Sequence, residues 1–273
     1  MNNLSTKIAS NNDANRTKMV YANYPSLLDK RVVITGGGSG IGATLVSAFA
    51  AQGARVFFLD IAEQASKDLA LALADCRHAP VFFKCNLVDL DALSATFAAI
   101  EQAAGPVEIL LNNAANDDRH QIENVSHQYW DNRMAVNLRH HFFCAQAVAK
   151  GMKENGSGVI LNFGSISWHL AMPDLTIYMT AKAAIEGLTR GLARDLGKSG
   201  IRVNCIIPGA VSTPRQQELW HGPEEEAKII ASQCLNERVE PEDVAALALF
   251  LSSDNAARCT GRDYFVDAGW YGL

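Results

Sequence analysis

The chain has 273 residues, 48% of them hydrophobic and 19% charged, with a formal net charge of -5. That length and apolar share suit a globular protein with a real core, whereas the acidic balance argues against nucleic acid, whose binders carry a basic patch or stripe. No run of roughly 18 apolar residues occurs, so no membrane-spanning helix is expected.

Residues 1–25 are rich in Asn, Ser and Thr and lack the apolar stretch of a secretory signal. They are expected to form a disordered leader, with Met19 an alternative start. From Arg31 onward, short apolar runs alternate with amphipathic stretches. The β-branched run 31–35 predicts a strand, followed by a glycine turn and a helix over 41–51. Strand 54–60 and helix 61–74 repeat the unit, as do strand 81–85 and helix 89–103. Strand 107–113 precedes one long helix over about 126–153. Strand 158–163, helix 176–197 and strand 201–207 follow. Pro241 suits the first turn of a helix ending near Leu251, and a last strand covers 263–267. Strands that are apolar throughout and alternate with helices imply a parallel sheet covered on both faces. The expectation is one doubly wound α/β domain over 26–273 with about seven strands. The six cysteines, at 76, 85, 144, 205, 234 and 259, show no C-x-x-C spacing. Buried free thiols in a reducing, cytoplasmic compartment are expected.

The glycine turn runs from Thr35 to Gly42, with glycines at 36, 37, 38, 40 and 42, directly between a strand and a helix. Glycines let the backbone bend tightly and let a pyrophosphate approach the helix N-terminus, where unpaired N–H groups attract anions. Asp60 ends the second strand, 20 residues after Gly40. A carboxylate there accepts bonds from ribose hydroxyls and repels a 2′-phosphate, and no Lys or Arg lies in the turn or just after Asp60 to offset it. NAD is therefore favoured over NADP. Further on, Tyr178 and Lys182 stand four residues apart on a predicted helix, so their Cβ atoms lie roughly 6 Å apart. An ammonium nearby favours the charged form of a phenol whose ordinary pKa is about 10, which makes Tyr178 a candidate general acid/base. Tyr and Lys meet at this spacing in many ordinary helices, so the pair gains weight only from its context.

With these residues together, the chain from Lys30 to Gly272 resembles a short-chain dehydrogenase/reductase. The resemblance rests on the turn Thr35 to Gly42, on Asn112, Asn113, Ala114 and Ala115 after the fourth strand, and on Asn137. It rests also on Ser165 thirteen residues before Tyr178, on Lys182, and on Pro208 and Gly209 leading to Val211 and Thr213. Asn86 and Leu87 stand where the family has Asp-Val, and Ala115 replaces a family glycine. More narrowly, the chain is similar to bacterial NAD-dependent aldose 1-dehydrogenases, the D-xylose enzymes in particular, through residues 116–120, 136–139, 162–169 and 267–270. The resemblance implies a tetrad of Asn137, Ser165, Tyr178 and Lys182. Tyr178 would take a proton from the substrate hydroxyl as hydride leaves for the nicotinamide. Lys182 would hold the phenolate and the ribose, Ser165 would orient the reacting oxygen, and Asn137 would hold a water leading to solvent. It implies cofactor contacts at Gly36, Ser39, Gly40, Ile41, Gly42, Asp60, Ile61, Asn86, Leu87, Asn113, Ala114, Ala115, Tyr178, Lys182, Pro208, Gly209, Val211 and Thr213. Aldose oxidation at the anomeric carbon would yield a lactone.

Asn116, Asp117 and Arg119 follow the fourth strand at the sheet edge where ligands bind. They are expected to read the sugar with Ser165, Ser167, Trp168, His169 and Tyr178. Asp118 and His120 lie in the first of these segments, and a solvated loop is the ordinary alternative for 117–120. Trp220 and His221 lie in the segment after Thr213, which the resemblance implies is a mobile lid. His140 and His141 are expected on different helix faces, and no metal is assigned. Trp270 and Tyr271 suit an interface. Family members are usually tetramers, and small residues Ala145, Ala149, Gly187 and Gly191 are expected on the outer helix faces. Two rivals remain: a short-chain dehydrogenase/reductase that acts on another sugar derivative or a polyol, or reduces a ketone, steroid or 3-oxoacyl thioester, and a dinucleotide sensor without catalysis. The acidic chain shows no clear basic patch for an acyl carrier, and a sensor would carry a broken tetrad.

Overall fold

The structure, a computed structural model, describes residues 20–220 and 222–272. Most of the leader, including Met19, and His221 lie outside the described residues. Seven parallel strands form one sheet, and helices cover both its faces. In chain order the elements are β1 (Arg31–Thr35), α1 (Gly40–Ala51), β2 (Arg55–Asp60), α2 (Glu63–Ala72), β3 (Val81–Lys84), α3 (Leu90–Ala104), β4 (Ile109–Asn112), α4 (His127–Met134) and α5 (His140–Glu154). There follow β5 (Gly158–Phe163), α6 (Thr176–Leu196), β6 (Ile201–Pro208), α7 (Pro214–Leu219), α8 (Pro223–Ala231), α9 (Pro241–Ser252) and β7 (Asp263–Val266). The sheet order is β3-β2-β1-β4-β5-β6-β7, the doubly wound arrangement expected from the sequence.

The central strands are buried along nearly their whole length because both faces are covered. Side chains alternate between two cores. Val32, Ile34 and Phe58 face the layer containing α1 and α9, and Val33, Phe57 and Leu59 face the layer containing α3 and α5. The order reverses between β1 and β4, which opens a crevice beyond their carboxyl ends. Register sets Thr35 beside Asn112 and Asn112 beside Asn162, so the segments leaving β1, β4 and β5 emerge side by side.

Four departures from expectation stand out. The long helix over 126–153 is interrupted by a π-turn at Ala135–Arg139, which divides it into α4 and α5. The helices α7 and α8 lay unmarked between Val211 and Pro241. The leader boundary at residue 26 falls inside packed chain, since Tyr21 and Tyr24 lie against the core and Tyr24 N donates to Gln52 Oε1 at 2.8 Å. Ala145 is fully buried in the second core rather than on an outer face, while Gly187 and Gly191 are exposed and border open space.

Candidate active site

A cleft of about 750 Å³ runs along the carboxyl edge of the sheet. At one end the glycine turn wraps onto α1. A methyl group on Gly42 would sit 1.7 Å from the Gly36 carbonyl oxygen, and Gly36 itself has φ +66 and abuts Ala114. Only glycine permits this crossing. Ser39 occupies the N-cap of α1 without a side-chain cap bond, which leaves the first amides of the helix available to an anion. Thr35 Oγ1 accepts from Asn113 N at 3.0 Å and Ala114 N at 3.1 Å, and Asn113 Nδ2 donates to the carbonyls of Thr35 and Gly36. The turn after β1 and the turn after β4 are thereby tied together. Asp60 accepts from Gly38 N and Ala62 N, both at 2.8 Å, and this fixes its carboxylate at the cleft edge. The glycine crossing, the uncapped helix terminus and the fixed carboxylate fit a dinucleotide. All eighteen expected cofactor contacts, from Gly36 through Asp60, Asn86 and Ala115 to Thr213, line this cleft.

At the other end stand Ser165, Tyr178 and Lys182, and the lining there includes Asn116, Asp117, Arg119 and Ser167. Ser165 Oγ donates to Ser167 Oγ at 3.0 Å. Lys182 is buried, donates to the Phe163 carbonyl at 2.7 Å and lies 5.5 Å from the centre of the Tyr178 ring. Burial lowers its pKa to about 8. The Tyr178 phenol is pushed well above its ordinary value, first by desolvation and then by the Asp117 carboxylate, while a hydrogen bond with Ser165 pulls the other way. Within the chain itself, then, burial outweighs the expected acidification by Lys182, whose ammonium bonds a carbonyl.

Asn137 sits in the π-turn, a distortion often found at functional sites. It is fully buried and does not line the cleft. Its Oδ1 accepts from Asn116 N at 2.7 Å and its Nδ2 donates to Asn116 O at 3.0 Å. The side chain thereby clamps the segment after β4. Trp168 and His169 also depart from expectation. A 3-10 turn at Ile166–Trp168 swings both away from the cleft. Trp168 Nε1 donates to Glu186 Oε1 at 2.7 Å, and His169 Nε2 lies 2.9 Å from the same oxygen. An indole N–H needs an acceptor when buried, and Glu186 on α6 supplies it. His140 and His141 do not diverge but are both buried, with ring centres 4.3 Å apart. Among the described residues, no group of three His, Cys, Asp or Glu side chains could hold a metal ion.

Sequence reasoning missed Met172, Leu175, Arg215 and Gln216, which also line the cleft, and it assigned Trp270 only to an interface. Thr213 followed by Pro214 is a helix-start signal that could have revealed α7 and with it Gln216.

Residues 36–271 match the family model described as Enoyl-(Acyl carrier protein) reductase. The chain is 58% identical to the D-xylose 1-dehydrogenase of Caulobacter vibrioides over 252 residues, 92% of this chain and 100% of that one. The chain belongs to the short-chain dehydrogenase/reductase family. It is also 45% identical to a protein of Rhizobium meliloti named "Probable galactose dehydrogenase", across 90% of this chain and 96% of that one. Among solved structures it resembles a 7 alpha-hydroxysteroid dehydrogenase complexed with NADH and 7-oxo glycochenodeoxycholic acid, with TM-score 0.85 and 31% identity over 90% of this chain and 96% of that chain. This short-chain dehydrogenase is an oxidoreductase acting on a CH–OH group with a nicotinamide cofactor.

Proposed function

We propose that the enzyme is an NAD-dependent aldose 1-dehydrogenase that oxidises D-xylose, or a close relative such as L-arabinose, D-galactose or L-fucose, at the anomeric carbon to the lactone. The observation that carries this reading is the cleft itself. Ser165, Tyr178 and Lys182 stand at one end among polar groups suited to sugar hydroxyls, and a fixed carboxylate stands at the other. The identity to a D-xylose 1-dehydrogenase supports the substrate class. Asp60 supports NAD, because Ile61, Ala62, Asn86 and Leu87 around it offer no cation to a 2′-phosphate.

Bound NAD would lie against the glycine turn, Asp60 and residues 113–115, and would supply the hydride acceptor together with a positive charge near the phenol. Ser165 orients the anomeric hydroxyl toward Tyr178, which takes its proton. Lys182, ionised at neutral pH, balances the phenolate. Asn137 acts one step away, by fixing the backbone of Asn116. A homotetramer with α5 and α6 at its interfaces is consistent with the exposed Phe142, Gly187 and Gly191. Six free cysteines suit the reducing cytoplasm.

Initial rates with NAD or NADP across D-xylose, L-arabinose, D-galactose, L-fucose, a polyol and a secondary alcohol test the reading. Lactone formation from one aldose with NAD is expected. Turnover of the polyol or the alcohol alone would overturn the substrate, and preference for NADP would overturn the role of Asp60.

A further inference from the structure

The segment after β4 reaches across the mouth of the cleft and grips α7 at three successive residues. Gln216 Nε2 donates to Asp117 Oδ2 at 2.6 Å. Arg215 Nη2 donates to Asp118 Oδ1 at 3.0 Å, and Asp118 Oδ2 accepts from Arg133 Nη1 at 2.9 Å. The Arg119 guanidinium lies 4.5 Å above the Trp220 ring. Only part of this clasp faces inward, since Asp118 and Trp220 do not line the cleft whereas Asp117 and Gln216 do.

We propose that Gln216, oriented by Asp117, is a specificity-determining residue that reads the configuration of a ring hydroxyl remote from the anomeric carbon. The proposal rests on the aldose reading above. Both partners are held firmly. Thr213 caps α7 by accepting from Gln216 N at 3.3 Å, which fixes where the glutamine begins. Asn137 pins the backbone of Asn116, and Asn116 Oδ1 accepts from Asp118 N at 2.9 Å, so the intervening Asp117 has little freedom. The carboxylate admits only the NH2 edge of the Gln216 amide, which leaves that amide's oxygen and second N–H for a ligand. Asp117 keeps 23% of its side chain exposed, and its charge acts on both Tyr178 and Lys182. Asp117 and Gln216 line the same cleft as Tyr178, so a sugar whose reacting hydroxyl sits at Tyr178 has the bonded pair within the same cavity for another of its hydroxyls. A hydroxyl is both donor and acceptor, which suits a carboxylate beside a carboxamide. A site built to pair such a group rejects the epimer that points it elsewhere, because the half-buried Asp117 and Gln216 then lose that partner.

D-xylose and L-arabinose differ only in the configuration of the 4-hydroxyl and separate this role from a purely structural clasp. The measurement is kcat/KM with NAD for both sugars in the wild type, Gln216→Ala and the near-isosteric Gln216→Met. NADH affinity by fluorescence and the thermal midpoint report on the cofactor site and on folding. Discrimination between the two sugars is expected to collapse by about tenfold in both variants, the loss of one good hydrogen bond, through a higher KM for the preferred sugar. NADH affinity should stay within about twofold. An unchanged ratio in folded variants overturns the proposal and leaves the aldose reading intact, as does an equal fall for both sugars with weakened NADH binding. A wild type that oxidises no aldose overturns the parent reading, and this one with it.

Discussion

Tyr178 shows how local chemistry decides the working pH of the site. Desolvation and the Asp117 carboxylate both hold its proton on, against one hydrogen bond with Ser165. Replacing Tyr178 with Phe removes the base and little volume. Turnover is expected to fall by at least about a hundredfold, while NADH affinity measured by fluorescence changes only a few-fold. Asp117→Asn acts on the same proton from a distance. Removing a negative charge lowers the phenol's pKa, and oxidation requires the deprotonated phenol. The alkaline-rising limb of the kcat profile should therefore move to lower pH. A limb that stays in place or moves upward would show that Asp117 does not set the electrostatics of the base.

At the scale of elements, α6 carries the proposed acid–base pair, since Tyr178, Lys182 and Glu186 follow one another at four-residue spacing on one face. The third of these is structural. Glu186 is buried and ties the turn after Ser165 to the helix through Trp168 and His169. Glu186→Ala leaves both buried donors without an acceptor, at a cost of about 2 kcal/mol. A lower thermal midpoint and a lower kcat are expected, as Ser165 loses its support, with NADH affinity retained. The same network explains where the sequence misled. Trp168 and His169 lie next to Ser165 in the chain, and proximity suggested a shared destination, but a single 3-10 turn reverses their direction. The strands and the doubly wound fold were legible because apolar runs and glycine punctuation report burial and turns directly, and the family resemblance marked Ser165, Tyr178 and Lys182, which line one cleft. The π-turn was not, since the apolar period runs through 135–139 without a Gly or Pro to mark the change. Nor was α7 drawn out, since its six residues PRQQEL carry no apolar face and only the Thr213-Pro214 start signal marks it. Gln216 went unseen for the same reason.

Across the whole molecule, buried ionisable groups outside the chemistry should confine stability to a window of pH. Burial holds His140 at a pKa of about 4, against an ordinary 6.5, and holds His141 well below that ordinary value. As pH falls below 6.5 the unfolded chain binds protons that the folded chain refuses, so stability is lost through the interval down to about 4. The carboxylates of Asp29 and Glu63, lowered by paired cations from 3.8 and 4.5 to about 2, add their loss from the lower end of that interval downward. On the alkaline side the buried thiols of Cys144 and Cys205 and the phenols of Tyr21, Tyr178 and Tyr264 are all raised, chiefly by desolvation. The unfolded chain releases these protons first, and stability falls as pH rises beyond about 9. Lys182 opposes this trend, since its lowered pKa adds stability between about 8 and 10.5, but it is one group against these five and the likewise raised Cys85. The thermal midpoint of the wild type should therefore peak between about pH 6.5 and 9. The ring nitrogens of His141 have no hydrogen-bond partner of good geometry, so His141→Leu replaces an unsatisfied polar group with an apolar one of similar bulk. That variant should unfold at a higher temperature near neutrality and show a flatter decline from pH 6.5 to 4. An equally steep acid limb in His141→Leu would assign the decline to other groups, and a lower midpoint at neutral pH would show that the imidazole pairs with its surroundings after all.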